Sequence, residues 1–567
     1  MPRNLLLLFL TAIFVATVNI ASAQKSVSLH VDVAADNHPI DPNIYGIASG
    51  VDSTFAQQIR LPNVRWGGDA TTRYNWENDG TNSGYDWFFM TSGTEGTTTP
   101  GGQVDSMIQS YKPAGAKPLI TIPIIPWISY AGNNDPKTGA TCSFPVYGYG
   151  GATAYGPQLI NPNFNWPGSP FQYNPFVNPY GDECGWGLDP NSPDPNNPIP
   201  ILDTNITWNH VENTPAIQTA WLQHLASTWG IGRHGVQLFQ LDNEPYGWGN
   251  THRDVMPAGA TYDQIIELGQ QYASGLKKAH PKIQILGPSD FTLGGWLGDQ
   301  TQQNGLFAGQ YYLQRMANYE KENHVRLLDY FDEHFYGGNG GGVANCDATE
   351  LESTRALWDP TFNSGTWLEQ WFFKGPMRLI PRFKSWTDKY YPGTKLAITE
   401  YGWGCEDSIY GALALTDALG IYGREGLDLA DIFSSPDPTG QSNLLAYPFL
   451  LYRNYDGKGG EYGDVWVKST SSNQSEVSVY GAIRSKDKAL TLVIVNKSAN
   501  DITASVRLAN FKDPGTCAEF FYYSGANLNQ IVKGNDIPIA QLGNTAKRFK
   551  ATFPALSASI VVLRRER

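Results

Sequence analysis

The sequence predicts an α/β chain: a (β/α)₈ barrel of the TIM type followed by a smaller antiparallel β-sandwich. Three observations predict it. Between about residues 40 and 455, short apolar runs alternate with amphipathic helical stretches, the rhythm of a parallel sheet wrapped in helices. Eight of those runs end in polar, Gly or aromatic residues, as barrel strands do at the rim that carries chemistry. After about Asp456 the pattern turns to short runs of period two, which suit antiparallel strands. The implied domains are a signal peptide at 1–23, a strand at 24–38 that joins the sandwich, the barrel at 39–455 and the sandwich at 456–567.

Taken in order, the N-terminus reads as a processing signal. Arg3 precedes the apolar run Leu5–Val18, and Ala21-Ser22-Ala23 offers a small-residue cleavage site. The run is short for a membrane anchor, so the expectation is a secreted chain without a membrane-spanning segment. Ser26–Val33 alternates and is expected in the sandwich. The eight barrel runs are Ile44–Ile47, Val64–Trp66, Pro118–Ile124, Val236–Leu241, Ile283–Leu286, Leu328–Phe335, Leu396–Thr399 and Leu444–Leu451. Between them, Thr261 and Gln264 form a capping box ahead of Ile265, Leu268, Tyr272, Leu276 and Ala279. Ala216–Gly230 is a second helix. The stretch from Trp127 to Ile206 has little periodicity and is rich in Gly, Pro, Asn and Tyr. It follows the third strand, and its aromatics favour an ordered wall of a groove. Export permits disulfides, and the expected pairs are Cys142 with Cys184 and Cys346 with Cys405. The last strands are Val477–Ile483, Ala489–Val495, Ile502–Leu508 and Leu556–Leu563.

Composition narrows the partners. The formal net charge is −13 without Lys/Arg clusters, which disfavours nucleic acid and anionic membranes. Aromatics reach 13% with 17 Trp and 30 Tyr, a surplus that suits flat sugar faces as well as a large core.

Two acidic residues occupy equivalent positions on different strands. Val236–Leu241 runs into Asp242-Asn243-Glu244-Pro245, and Leu396–Thr399 runs into Glu400-Tyr401-Gly402-Trp403. Pro245 ends its strand, since it lacks an N–H. Both carboxylates therefore belong at strand C-termini, on the fourth and seventh strands. Two carboxyl groups facing across a cleft are what glycoside hydrolysis requires, one protonated and one ionised. Around them, Asn243 is placed to bond a sugar hydroxyl. Arg65 is placed to hold Glu400 ionised, since a guanidinium lowers a neighbouring carboxyl pKa. His334 and Tyr336 close the sixth strand on one face, with Tyr336 a donor to Glu400. Trp66, Trp127, Trp248 and Trp403 lie at or just after barrel strands and are expected among the stacking platforms.

The runs VRWGGDATTRYNW, LDNEPYGWGNTHRDV, ILGPSD, EHFYGG, ITEYGWG and YRNYDGKGGEYGD resemble glycoside hydrolase family 44, in that order. The resemblance implies a retaining endo-β-1,4-glucanase, often acting on xyloglucan, with Glu244 as acid/base and Glu400 as nucleophile. It implies no required cofactor. Some members of that family carry structural metal ions, and no residue of this chain is assigned to one. The sixth-strand run EHFYGGNGGG and the segment holding Cys142 and Cys184 depart from the family pattern, both beside the groove. A monomer acting on polysaccharide is the expected state. Within the class, xyloglucan, xylan and mannan remain alternative substrates. Outside it, the rivals are a non-catalytic glycan-binding barrel, which needs neither glutamate, and a structural envelope protein, which leaves the pair unexplained.

Overall fold

The computed structural model describes residues 26–565, apart from 94–98, 131–141, 145–183, 186, 188–198, 201–208, 292–294, 301–302, 338–344, 440–442, 513–514 and 543–545. The leader with its cleavage site at Ala23, most of the segment from Trp127 to Ile206, and the Gly-rich run after Gly337 lie outside the described residues.

Eight parallel strands close into a ring. They are β1 (Gly46–Ala48), β2 (Asn63–Trp66), β3 (Lys117–Ile122), β4 (Leu238–Leu241), β5 (Gln284–Asp290), β6 (Tyr330–Glu333), β7 (Lys395–Gly402) and β8 (Leu429–Ile432). Each pairs in parallel with the next, and β8 returns to β1 through Asp431 opposite Gly46. Inside, Leu119, Leu238, Leu286, Tyr330, Ala397 and Leu429 form one buried layer. Each of its four leucines stabilises by roughly 1.5–3 kcal/mol when taken out of water, and all six side chains are buried, so the barrel interior is a packed core and not a pore.

The helices follow from their sequences. Pro215–Trp229 starts with Pro at its first turn and is capped by Thr214, whose side chain accepts from the Ile217 N–H. Tyr262–Ala279 has the full Thr261/Gln264 capping box, and it buries Ile265, Tyr272 and Leu276 on one face.

The eighth strand corrects the sequence reading. Leu444–Leu451 is not a strand; it falls in the helix Ala446–Arg453, buried against barrel and sandwich. An unbroken apolar run reads alike as buried strand or buried helix. The true β8 is four residues, and its Asp431 broke the apolar signal. That side chain is fully buried and accepts a hydrogen bond from Asn63 Nδ2 at 2.8 Å.

The C-terminal strands are joined by Ser26–Asp32, which runs parallel to Ile502–Ala509 and antiparallel to Val465–Ser471. Val467, Val479, Leu492, Ile494, Val506 and Val561 are among the residues of this second core. The barrel meets it through the helix Ile409–Glu425. There Asp417 accepts hydrogen bonds from Tyr480 Oη, Lys497 Nζ and Thr354 Oγ1, each at 2.7 Å, and from Ser478 Oγ. Cys142 is bonded to Cys184 and Cys346 to Cys405, the second bridge tying the loops that follow β6 and β7.

Candidate active site

Glu244 and Glu400 stand at the C-terminal ends of β4 and β7. The chain turns sharply after β4. Asp242 and Glu244 have positive φ values of 64° and 47°, and Pro245 opens a short 3₁₀ turn at the position where a missing N–H costs least. Non-glycine residues in the left-handed region cost of order 1–3 kcal/mol and cluster at functional sites. Here the surroundings enforce the turn. The Glu244 N–H donates to Ser289 O at 2.9 Å, and Asp242 accepts from Thr72 Oγ1 and from the N–H groups of Ile124 and Ile125.

A carboxylate oxygen of Glu244, one of Glu400 and a ring nitrogen of His334 all lie within 4.8 Å of one another. Arg65 Nη1 donates to Glu400 Oε2 at 2.7 Å, and Tyr336 Oη donates to Glu400 Oε1 at 2.6 Å. These three acid and imidazole groups have the spacing of a metal site. The guanidinium already neutralises Glu400, however, and the arrangement suits an acid/base pair better.

His334 links the two sides. Its Nε2 faces Arg65 Nη2 at 3.4 Å. A guanidinium only donates, so Nε2 is the acceptor and Nδ1 carries the hydrogen, which is given to Glu244 Oε1 at 2.9 Å. Burial holds the ring neutral, pushed down to about 4, with Glu400 opposing and Arg65 assisting.

The two carboxyl groups are driven apart in pKa. Burial, then the charge of Glu400, pushes Glu244 up to about 8, against the pull of Arg65. For Glu400 burial acts in the raising direction. It is outweighed by His334, the Arg65 charge and the hydrogen bonds from Tyr336 and Arg65, so the carboxyl is held below its ordinary value. With His334 neutral, Arg65 is the standing charge beside it. Near neutral pH the site thus holds one protonated and one ionised carboxyl, an acid and a nucleophile or base.

Of the other expected residues, Asn243 is engaged on both sides. Its Oδ1 accepts from Arg65 Nη2 at 2.6 Å, and its Nδ2 donates to Asp69 Oδ1 at 2.8 Å. Trp127 is partly exposed at the start of a two-stranded ribbon with His210–Glu212. Trp66 is 7% exposed and packs edge-on against Tyr74 and Trp221. Trp403 is 3% exposed and lies against Gly337, where a Cβ would meet its ring at 2.1 Å. Trp248 is fully buried and presents no face to the cleft, which corrects its place among the stacking platforms. The 3₁₀ turn at Pro245–Gly247 rotates it into the core.

Four residues were not anticipated. Asp69 opens the short helix Asp69–Thr72, and the nearby carboxyl of Asp86 acts electrostatically on both Asp69 and Glu244. Gln240 accepts from Arg65 Nε at 2.9 Å. Phe433, half exposed, follows β8 directly and bonds its N–H to Tyr401 O beside Glu400. Asp69 could have been found from its place directly after the Gly67-Gly68 pair. Phe433 was lost with the misplaced eighth strand.

Known proteins bear on this site. Residues 80–339 match the model of glycoside hydrolase family 44. Endoglucanase A of Paenibacillus lautus is 28% identical over 584 residues, covering 97% of this chain and 74% of that protein. The crystal structure of CelM2, a bifunctional glucanase-xylanase from a metagenome library, superposes with a TM-score of 0.81 at 31% identity, covering 95% of this chain and 99% of that one. A xyloglucanase of family 44 from Paenibacillus polymyxa, solved with xyloglucan, gives a TM-score of 0.74 at 26% identity, with 96% and 100% coverage. With the barrel, the sandwich and the paired glutamates in place, the chain belongs to glycoside hydrolase family 44 and is a glycoside hydrolase of the endoglucanase, or cellulase, type.

Proposed function

We propose that the chain is a secreted, retaining endo-β-1,4-glucanase that also accepts xyloglucan. The observation that carries the retaining assignment is the closeness of the two carboxyl groups, with oxygens within 4.8 Å. Retaining enzymes space them about 5–5.5 Å apart, whereas inverting ones need about 6.5–9.5 Å to admit a water. In this reading Glu400, kept ionised by Arg65 and Tyr336, attacks the anomeric carbon. Glu244, neutral at the start, gives its proton to the leaving glycosidic oxygen, then takes one from the water that releases the glycosyl-enzyme. The His334 hydrogen occupies Glu244 Oε1, which leaves Oε2 to carry the transferred proton. The two carboxyls and water complete the reaction, and no cofactor is invoked.

Xyloglucan is favoured as a further substrate by the Paenibacillus polymyxa relative, and xylan by CelM2. Secretion rests on the leader ending at Ala23, and the chain is proposed to act as a monomer. Chemical rescue tests the mechanism. Glu244→Ala should still be glycosylated by an activated aryl glycoside, and azide should restore turnover with a β-glycosyl azide as product. An α-azide from that variant would overturn the assignment. A panel of soluble polysaccharides reads the substrate. Viscosity should fall faster than reducing ends appear, and release of short sugars from chain ends alone would refute endo action.

A further inference from the structure

The segment after β2 turns back over the barrel mouth in a way its two glycines permit. A Cβ on Gly67 would meet Arg65 Cζ at 2.4 Å, and Gly68 has φ +106°, which side-chain-bearing residues rarely adopt. Asp69 is thereby brought over the residues that precede Glu244. Its contact with Asn243 has a defined polarity. Arg65 Nη2 can only donate, so the atom of Asn243 it meets at 2.6 Å is the amide oxygen. The amide nitrogen must then face Asp69, whose Oδ1 accepts from it at 2.8 Å. Thr72, on the same short helix, bonds Asp242 Oδ1 at 2.6 Å. Residues 69–72 therefore grip both side chains immediately before Glu244, and Asn243 itself is only 3% exposed.

We propose that Asp69 is a positioning residue of the reaction, acting through Asn243. An amide has two N–H groups; Arg65 and Asp69 fix the plane, Asp69 takes one hydrogen, and the second is held for a hydroxyl of the sugar bound beside Glu244. This rests on the functional reading above. The groups facing Asp69 are Asp86, Glu244, Glu400 and Asn243. Burial and the first three push its carboxyl well above the ordinary range, against the Asn243 hydrogen bond. A neutral acid still accepts through its carbonyl oxygen, and asparagine reproduces that oxygen.

The test is a double-mutant cycle on soluble β-1,4-glucan with D69A, D69N, N243A and D69A/N243A, with thermal stability measured alongside. D69A should lose about 10–100-fold in kcat/KM, the range expected for one hydrogen bond to a buried group. D69N should stay within about threefold of wild type, because its amide oxygen accepts the same N–H. In the N243A background, D69A should change kcat/KM by less than about twofold, since coupled residues are non-additive. A purely structural role would lower stability and add its loss to that of N243A. Additive losses, a D69N as impaired as D69A, or a D69A equal to an active wild type would each overturn the proposal alone. A wild-type chain inert on every β-1,4-glycan would overturn the functional reading, and this proposal with it.

Discussion

Glu244 and Asp417 are both carboxylates withdrawn into the protein, and they meet opposite fates. Asp417 sits between barrel and sandwich, where Lys497, Tyr480, Ser478 and Thr354 all donate to it. Burial would raise its pKa, but the Lys497 charge and these hydrogen bonds outweigh burial and hold it below the ordinary value. Glu244 receives one hydrogen bond from a neutral imidazole and faces a second carboxylate, so it rises to about 8. The satisfied carboxylate is structural and the under-satisfied one can move a proton. What separates the two uses is the sign of the charge each group faces and the number of donors around it: a lysine and three hydroxyls for Asp417, a second carboxylate and one imidazole for Glu244.

The comparison can be broken in several places. Glu400→Ala removes the proposed nucleophile and should lower kcat by more than about 10⁴-fold even on activated aryl glycosides. An active Glu400→Ala would end the assignment. Lys497→Ala should leave activity per folded molecule intact yet cost about 3–5 kcal/mol, because it strands a buried charge; urea titration reads this, and a change under about 1 kcal/mol would mean the seam is not dry. The Asp417 contribution should be complete above the unfolded value of about 3.9 and lost as pH falls towards its lower folded value.

Tyr336→Phe removes one donor from Glu400 and should cost about 10–100-fold in kcat. It should also move the acid limb of the pH–rate profile upward, since the lost bond had favoured the ionised form. In the unaltered chain the profile should be a bell. Activity falls on the acid side as Glu400 protonates, below the ordinary carboxyl value, and on the alkaline side as Glu244 ionises at about 8. A basic limb unmoved in Glu244→Gln assayed with an activated substrate would show that another group sets it. The smallest expected effect is Thr261→Ala, about 1 kcal/mol of stability from a lost helix cap, with kinetics unchanged.

The candidate site was legible where sequence neighbours carry the information. Glu244 precedes a proline that must end its strand, and Glu400 ends an apolar run, so both point to one barrel rim. Arg65 was legible for the same reason on β2. Contacts set by distant parts of the chain were not. The glycine pair before Asp69 marks a turn, but its partner lies 174 residues away and local sequence does not name it. Trp248 carries the right side chain for a platform, but a three-residue turn decides which way it points. Phe433 depends on a four-residue strand interrupted by a buried aspartate, where apolar patterning is weakest.

The strand Ser26–Asp32 has a consequence for how the two domains can be separated. Its partners lie at the far end of the chain, with the Ser28 N–H bonded to Ser472 Oγ across 444 residues. The barrel is therefore an insertion within one β-sheet, tethered to it at both ends. Cutting the chain near residue 456 would not release an independent catalytic unit. It would leave an N-terminal strand with two bare hydrogen-bonding edges and a sandwich with a missing slat. During synthesis that strand is made before the barrel, and its two partners only after it.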